Sequence, residues 1–446
     1  MIPRCLVLFL FLFLSAAEAA PPGWRAGAAR VDLTPEYAVR LSGYGSRTTE
    51  FEGVEQHVFA KALALSAGDG PVAVIVTVDN CAVPGVVRDE VVRRLGGAVA
   101  DERFAVCSSH THCAPMLGGA LGCLFGADIP PEEAARIERY TREVTDKLEQ
   151  VARAALEARA PCELSWAQGE VAFAGNRRLQ TPAGFTNSQN VGGPVDHALP
   201  VLRVTGADGK VRAVLTGYAC HCTTLHFNRV HGDWAGCAQE AMEAAFPGAI
   251  ALTALGCGGD QNPYPRGTVE LAQQHGSALA EEAVRLVRGA MPPLPVALEC
   301  RRRHLALPFD TLPARAEWER RATDPKGGAI GYHARRNLAR LDRGEKLPES
   351  LDYSVQVWRF GEALTIVFLC GEVVVDYSLR LKRELDGARL WVAAYANDVP
   401  CYIPSRRVLE EGGYEAASAM TYYDRPAKFA PQVEELIIQA VHEAMK

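Results

Sequence analysis

Beyond its first residues, no stretch of this chain is apolar for long enough to cross a bilayer, which takes about 20 consecutive apolar residues. That excludes a protein held in a membrane by internal helices. None of the thirteen cysteines is part of a Cys-x-x-Cys pair, so a structural zinc ribbon is not expected. Basic residues do not outnumber acidic ones (47 against 53, formal net charge −6), and no basic cluster stands out. Nucleic acid and anionic membrane surfaces are therefore not expected partners. Pro/Gly/Ser linkers, low-complexity tracts and internal repeats are all missing. With ordinary globular values of 48% hydrophobic and 22% charged residues, the 446 residues are expected to form one large domain.

The N-terminus is the exception to the first absence. Arg4 precedes an apolar run from Cys5 to Leu14, and Ala17-Glu18-Ala19 supplies an Ala-x-Ala site. A charged start, a short apolar middle and a small-residue exit are the parts of a secretory signal peptide. Residues 1–19 are expected to be that signal and residues 20–446 a secreted or periplasmic domain. Cys5 lies inside the run rather than at the cleavage point, so no lipid anchor is expected. Export permits disulfides, but a domain of this size has enough core to do without them. Most of the other cysteines are expected to be small buried thiols.

What the chain does contain is a recurring pattern, in which an apolar run stops at a polar residue of ligand type. Residues 72–78 end at Asp79-Asn80, and residues 103–107 lead into Ser108-Ser109-His110-Thr111-His112-Cys113-Ala114-Pro115. Residues 211–219 lead to Cys220-His221-Cys222, and 249–255 to Gly256-Cys257-Gly258-Gly259-Asp260-Gln261-Asn262-Pro263. Residues 364–369 lead to Cys370-Gly371-Glu372, and 390–394 to a loop that reaches Tyr402. Helices are expected at 87–95, 131–158, 235–245, 269–287 and from 431 onward. The second has Pro131 at its start and Glu132 and Glu133 in its first turn; Asp233 is placed to cap the third. Residues 317–343, highly charged, are expected to be a solvated helical insertion. Strands alternating with helices predict an α/β fold, a large single domain with a mixed, partly parallel sheet flanked by helices. In such folds the site lies beyond the carboxyl ends of the strands, where these residues fall.

Two histidines and a carboxylate are a recurrent catalytic zinc set that leaves a position open for water. His110, His221 and Glu372 supply those types, with Asp79, Asp233 and Asp260 as competing ligands that spacing does not exclude. His110 and His112, one residue apart, share a face of an extended chain or fan toward one pocket in a turn. The loop from Gly256 to Pro263 suits exposed backbone N–H groups that would stabilise an oxyanion. A phosphate cradle is less suited to it, since no Gly-Lys-Ser/Thr follows.

Together these motifs resemble the neutral/alkaline ceramidase family, secreted zinc amidases that split ceramide into sphingosine and fatty acid. The matching pieces are Ser109 to Pro115, Asn176-Arg177, His221 with Thr223-Thr224, Gly232-Asp233, Gly259-Asp260 to Pro263, Gly371-Glu372, and Tyr402-Ile403 with Tyr414-Glu415. They occur in the family's order. The resemblance implies Zn2+ held by His110, His221, Glu372 and the phenol of Tyr402. His112 would face the substrate carbonyl, with Arg177 and Tyr414 in the same pocket. Two departures stand out. Asn262 occupies the register of the family's nucleophilic serine, and the chain stops roughly where the family's catalytic domain ends, before its immunoglobulin-like domain.

The expected activity is hydrolysis of an amide, in a ceramide-like N-acyl lipid, or of an ester. Zinc-bound water would be the nucleophile, and His112 and the Asn262 amide would donate to the oxyanion. The substrate would be a small molecule or a lipid. One alternative is a catalytically retired metal- or lipid-binding protein of the same family. Another moves the nucleophile to Ser108, Ser109, Thr223, Thr224 or Cys257.

Overall fold

The structure is a computed structural model that describes residues 23–324 and 327–446; the expected signal peptide at 1–19 lies outside the described residues. The first half of the chain forms β1 (Trp24–Asp32), β2 (Phe59–Ala67), β3 (Ala73–Val78), α1 (Gly85–Leu95), β4 (Phe104–Ser108) and α2 (Pro131–Glu157). Then come β5 (Ala160–Glu170), β6 (Ala174–Thr181), β7 (Gly184–Asn190), β8 (Ala198–Gly206) and β9 (Val211–Tyr218). The middle contains α3 (Asp233–Ala245), β10 (Ile250–Leu255), β11 (Gln261–Pro263), α4 (Val269–Arg288), β12 (Glu299–Pro308), α5 (Arg315–Ala322) and α6 (Gly328–Asp342). The last part has β13 (Ser350–Phe360), β14 (Leu364–Leu369), β15 (Glu372–Val373), α7 (Val375–Glu384), β16 (Leu390–Ala393), β17 (Tyr402–Ile403), α8 (Arg406–Glu411) and α9 (Val433–Met445).

Eight strands make the main sheet, in the order β10-β9-β8-β5-β1-β2-β3-β4, and β12-β13-β14-β16 make a second. Helix α2 shows why the layers form. Its Ile137, Tyr140, Val144, Leu148, Val151 and Ala155 recur every three or four residues and are buried, a stripe that packs on β1, β2 and β3. On the opposite face of the main sheet, Trp24, Ile75 and Trp166 meet Trp358, Phe360 and Phe368 of the second sheet. Three of the buried indoles between the layers are satisfied, Trp24 donating to Leu294 O at 3.2 Å, Trp166 to Ala363 O at 3.1 Å and Trp358 to Glu102 O at 3.1 Å. Helix α9 covers β12 and β13 from outside. The result is a mixed sheet flanked by helices, with a second sheet between it and α9. β3 and β4 read as unbroken apolar runs because both of their faces are covered.

Parallel pairing is confined to β3–β4, β9–β10, β14–β16 and the short β15–β17 pair; all the other strand pairs among the described residues are antiparallel. The segments that follow the parallel strands are stitched together. Ser108 N donates to Tyr395 O (3.1 Å), Asn397 N to Val106 O (2.7 Å) and Ala394 N to Leu255 O (2.8 Å). His221 N donates to Gln261 O (2.9 Å), and Gly259 N to Val373 O (2.8 Å). This lacing gathers the ligand-type residues from sequence positions hundreds of residues apart. The charged insertion is a helical pair, α5 and α6, with a small core of its own built on Trp318, Ala334 and Leu347. The twelve cysteines from Cys81 to Cys401 are all unpaired, and most are buried.

Candidate metal centre and cleft

His110 lies two residues beyond β4 with a φ of +55°, and Asp233, Tyr395 and Asn397 around it also have positive φ. Such conformations cost of order 1–3 kcal/mol each and cluster where function requires them. The turn at His110 aims its ring inward, and its Nδ1 lies 2.6 Å from Cys81 O. His221, three residues beyond β9, has its Nδ1 2.6 Å from Gly258 O. A carbonyl can only accept, so each Nδ1 carries the proton and each Nε2 of the neutral rings presents a lone pair.

Those two lone pairs face a third acceptor. Glu372 Oε2 lies 3.0 Å from His110 Nε2 and 2.9 Å from His221 Nε2. Neither approach has hydrogen-bond geometry, and Oε2 is a buried oxygen without a donor. The other oxygen, Oε1, accepts from the Tyr423 hydroxyl. Three electron-rich atoms within 4.8 Å of one another, all buried, repel unless a cation lies between them, and Arg177 Nη1, 3.2 Å from His221 Nε2, eases this at one of the three. The charges behave accordingly. Burial pushes the Glu372 carboxyl up, but His110 and His221 outweigh it and hold Glu372 well below the usual carboxylate range. Burial pushes His110 down, but the Glu372 charge outweighs it and raises the imidazole. His221 is lowered to about 4 by burial and by the Arg177 charge.

The Tyr402 hydroxyl lies 3.2 Å from His221 Nε2, which puts a fourth donor atom, an oxygen, beside the three ligand atoms. Arg177 approaches them from behind. Its guanidinium donates to Tyr402 OH (2.9 Å) and Asn262 Oδ1 (3.1 Å), and its Nε to Glu415 Oε1 (2.9 Å). The chemistry of this donor set suits a divalent ion of the zinc class: two imidazoles, one carboxylate and a phenol, with the imidazole tautomers fixed by backbone carbonyls. A second group, Cys81, His110 and His112, is also close enough to share an ion. It is the poorer set, because the His110 nitrogen beside the Cys81 thiol is the one held by Cys81 O.

In front of the ligand atoms is a cleft of about 360 Å³, walled by His112, Tyr44, Tyr414 and Tyr422 and by the apolar side chains of Leu121, Leu124 and Phe125. His112 Nε2 is 3.1 Å from His110 Nε2, and Tyr44 packs edge-on to the His112 ring at 4.7 Å. Burial, and then the charges of His110 and His221, hold His112 well below its ordinary pKa, so it is neutral near pH 7. Gly43 leaves room for it. A Cβ there would come within 2.3 Å of the imidazole, and its φ of +89° is itself left-handed. Gly43→Ala is expected to displace His112, costing about 1–3 kcal/mol in strain and lowering turnover while leaving metal content unchanged. Wild-type turnover in that variant would show that the position of His112 does not matter.

Of the residues expected from sequence, His110, His221, Glu372, Tyr402, His112 and Tyr414 meet at this centre, with Arg177 directly behind. Three other expectations are corrected. First, Asn262 does not line the cleft: its Oδ1 is engaged by Arg177 and its Nδ2 faces Asn187 Oδ1 at 3.5 Å. Its amide is therefore not aimed where an oxyanion would form. Second, the amides of Gly258, Gly259 and Gln261 in the glycine loop are not free: Gly258 N donates to Gly256 O, Gly259 N to Val373 O and Gln261 N to Gly258 O. Its contribution is the Gly258 carbonyl that fixes His221. Third, Asp233 does not cap its helix; its carboxylate accepts from Thr224 N (3.2 Å) and Leu225 N (2.9 Å), bracing the loop that carries His221, and from Trp234 N (2.7 Å).

The competing carboxylates are likewise used elsewhere. Asp79 accepts from Phe59 N and Gln239, and Asp260 from Val375 N and Asn176. None of Ser108, Ser109, Thr223, Thr224 and Cys257 is among the cleft walls. Sequence reasoning missed Tyr423, the hydroxyl partner of Glu372. The only trace of it was an aromatic pair, Tyr422-Tyr423, in a loop with no periodicity.

A sequence profile described as neutral/alkaline non-lysosomal ceramidase, N-terminal, matches residues 24–255, just over half of the chain. No curated protein matches the chain at a significant level. Among solved structures, a neutral ceramidase from Pseudomonas aeruginosa is similar at a TM-score of 0.72 and 20% identity, over 95% of this chain and 74% of that one. A ceramidase complexed with C2 gives 0.70 and 19%, over 94% and 74%. At those identities the structures establish a shared fold, and the profile match over the β1–β10 region establishes descent. This chain belongs to the neutral/alkaline non-lysosomal ceramidase family.

Proposed function

We propose that the chain is an exported, metal-dependent hydrolase of the amide bond of a ceramide-like N-acyl compound, or of an ester bond, with zinc held by His110, His221, Glu372 and Tyr402. The observation that carries this reading is the buried convergence of two imidazole Nε2 atoms and a carboxylate oxygen that has no hydrogen-bond donor. A divalent ion at that point would polarise a carbonyl and bring the pKa of a coordinated water to about 7.

The rest of the chemistry falls to side chains. His112, neutral and facing the cleft, donates one ring N–H to the carbonyl oxygen as negative charge develops on it. Tyr414, whose ring packs 5.3 Å from that of Tyr402, closes the same side and orients the acyl group. Tyr423 holds Glu372 in its ligating rotamer through Oε1. Arg177 keeps the Tyr402 oxygen directed at the centre and partly offsets the burial that pushes the phenol well up. Asn262 orients Arg177 rather than the substrate. Because Asn262 cannot act as an alkoxide, activated water is the attacking group.

The second reading, a retired binding protein, is favoured only by the absence of the family's serine. A panel of N-acyl amides and esters, assayed before and after chelation, separates the two. Turnover that chelation abolishes and zinc restores is the expected outcome. Tight metal binding with no turnover on any substrate would favour the retired protein.

A further inference from the structure

Helix α6 is part of the cleft as well as of the charged insertion. Gly328 and Ala329, at its N-terminus, stand among the cleft walls, across from Tyr44, Gly45 and Ser46. The helix is docked with no slack: a Cβ on Gly126 would lie 2.6 Å from Ala329 N and 2.7 Å from Gly328 C. Tyr332 donates to Asp128 at 2.8 Å, which ties the same helix to the loop that carries Leu121, Leu124 and Phe125. Farther along, Arg340 and Arg336 clasp Asp424, at 2.9 Å to Oδ1 and 3.2 Å to Oδ2 respectively, with His333 3.6 Å away. Asp424 directly follows Tyr423, the hydroxyl that holds Glu372. The insertion is thus braced at both sides of the cleft and stiffened by its own Trp318 core.

We infer that this helical insertion is the specificity-determining wall of the cleft, restricting the enzyme to compact N-acyl amides with one short acyl chain. The inference rests on the hydrolase reading above and narrows its substrate class. Volume carries the first part of the argument. A cleft of about 360 Å³ has room for the amide and a short acyl chain. The two long chains of a sphingolipid amide need far more. Pockets for small ligands run from about 300 to 1,000 Å³, and this one lies near the bottom. The surroundings carry the second part. A longer chain leaving the cleft past α6 meets charged groups, Asp128 held by Tyr332 and Asp424 paired to Arg336 and Arg340. Of the large apolar side chains exposed on the described surface, Ile330 is the one on α6. A single isoleucine makes no track for an alkyl chain.

Two measurements on the zinc-loaded full chain test this. One is kcat/KM for a series of N-acyl aminocoumarin amides from acetyl to palmitoyl. The other is calorimetric binding of straight-chain carboxylates from acetate to palmitate, which needs no turnover. Both are made on wild type, on Ala329→Leu, which thickens the wall, and on Arg336→Ala/Arg340→Ala, which releases it and serves if the first variant does not fold. Wild type is expected to prefer short chains by at least about tenfold over palmitoyl, the low end of what pocket shape discriminates. Ala329→Leu should move the cut-off to shorter chains, and the double variant to longer ones. Best turnover on the palmitoyl amide, with a profile that neither variant moves, would overturn the wall and leave the hydrolase standing. No turnover, but carboxylate binding that weakens with length and shifts in the variants, would overturn the hydrolase and keep the wall. Neither turnover nor binding would overturn both.

Discussion

Glu372→Gln is expected to abolish stoichiometric metal binding and lower kcat/KM by about 10³-fold or more, because a bound metal contributes several kcal/mol to the transition state and each 1.36 kcal/mol is tenfold. The same variant should leave the metal-free protein no less stable. In the metal-free wild type, a buried carboxylate oxygen faces two imidazole Nε2 atoms with no hydrogen-bond donor of its own. A glutamine keeps the shape and keeps an oxygen for Tyr423. Its NH2 group can donate to an imidazole lone pair, turning a repulsion into a hydrogen bond. Metal content, turnover and a denaturant midpoint with and without zinc are the readouts. An ordinary structural ion pair predicts the reverse, since breaking a buried pair costs about 3–5 kcal/mol. Loss of stability in metal-free Glu372→Gln would therefore identify the cluster as a structural pair.

Arg177→Met is expected to cause the largest loss of stability among the variants discussed, about 3 kcal/mol, the low end of the cost of leaving a buried charge without its partner. Arg177 is buried and donates to Glu415, Asn262 and Tyr402 together. Methionine fills the volume and removes every donor. Glu415 would keep Arg178, 2.6 Å from its other oxygen, which is why the low end of the range applies. Burial raises the Glu415 carboxyl, but the two arginines outweigh it and keep it ionised, Arg177 first. Turnover should fall as well, because the Tyr402 oxygen loses its tether. Arg177→Lys is expected to behave more like methionine than like arginine, since one ammonium cannot reach three partners in that fork. Stability within about 0.5 kcal/mol of wild type, the range of ordinary surface changes, would show that Arg177 does not brace this site.

Much of the architecture was legible in the sequence because it was written in unbroken apolar runs. The strands that lead to His110, His221, the glycine loop and Glu372 are buried on both faces, so composition alone marked them. Antiparallel strands with a wet face were less visible. β12 reads Glu-Cys-Arg-Arg-Arg-His-Leu-Ala-Leu-Pro, and only its pairing to β13 makes a strand of it. The metal cluster was half legible. Spacing gave histidines and carboxylates at strand ends, but not which carboxylate keeps a free oxygen. That choice depends on where backbone N–H groups point, which removed Asp79, Asp233 and Asp260 from contention. Tyr402 entered through family resemblance, because a phenol has no spacing rule as a ligand. Tyr423 and the inward face of α6 were invisible for a related reason: both act through loops brought near the site by the sheets.

The most direct test of the metal centre is elemental analysis of the purified protein, wild type and His221→Ala in parallel. About one zinc per wild-type chain is expected, as a single catalytic site requires, and none in the variant, with both proteins folded. Equal metal content in the two, or no tightly bound metal in wild type, would contradict it.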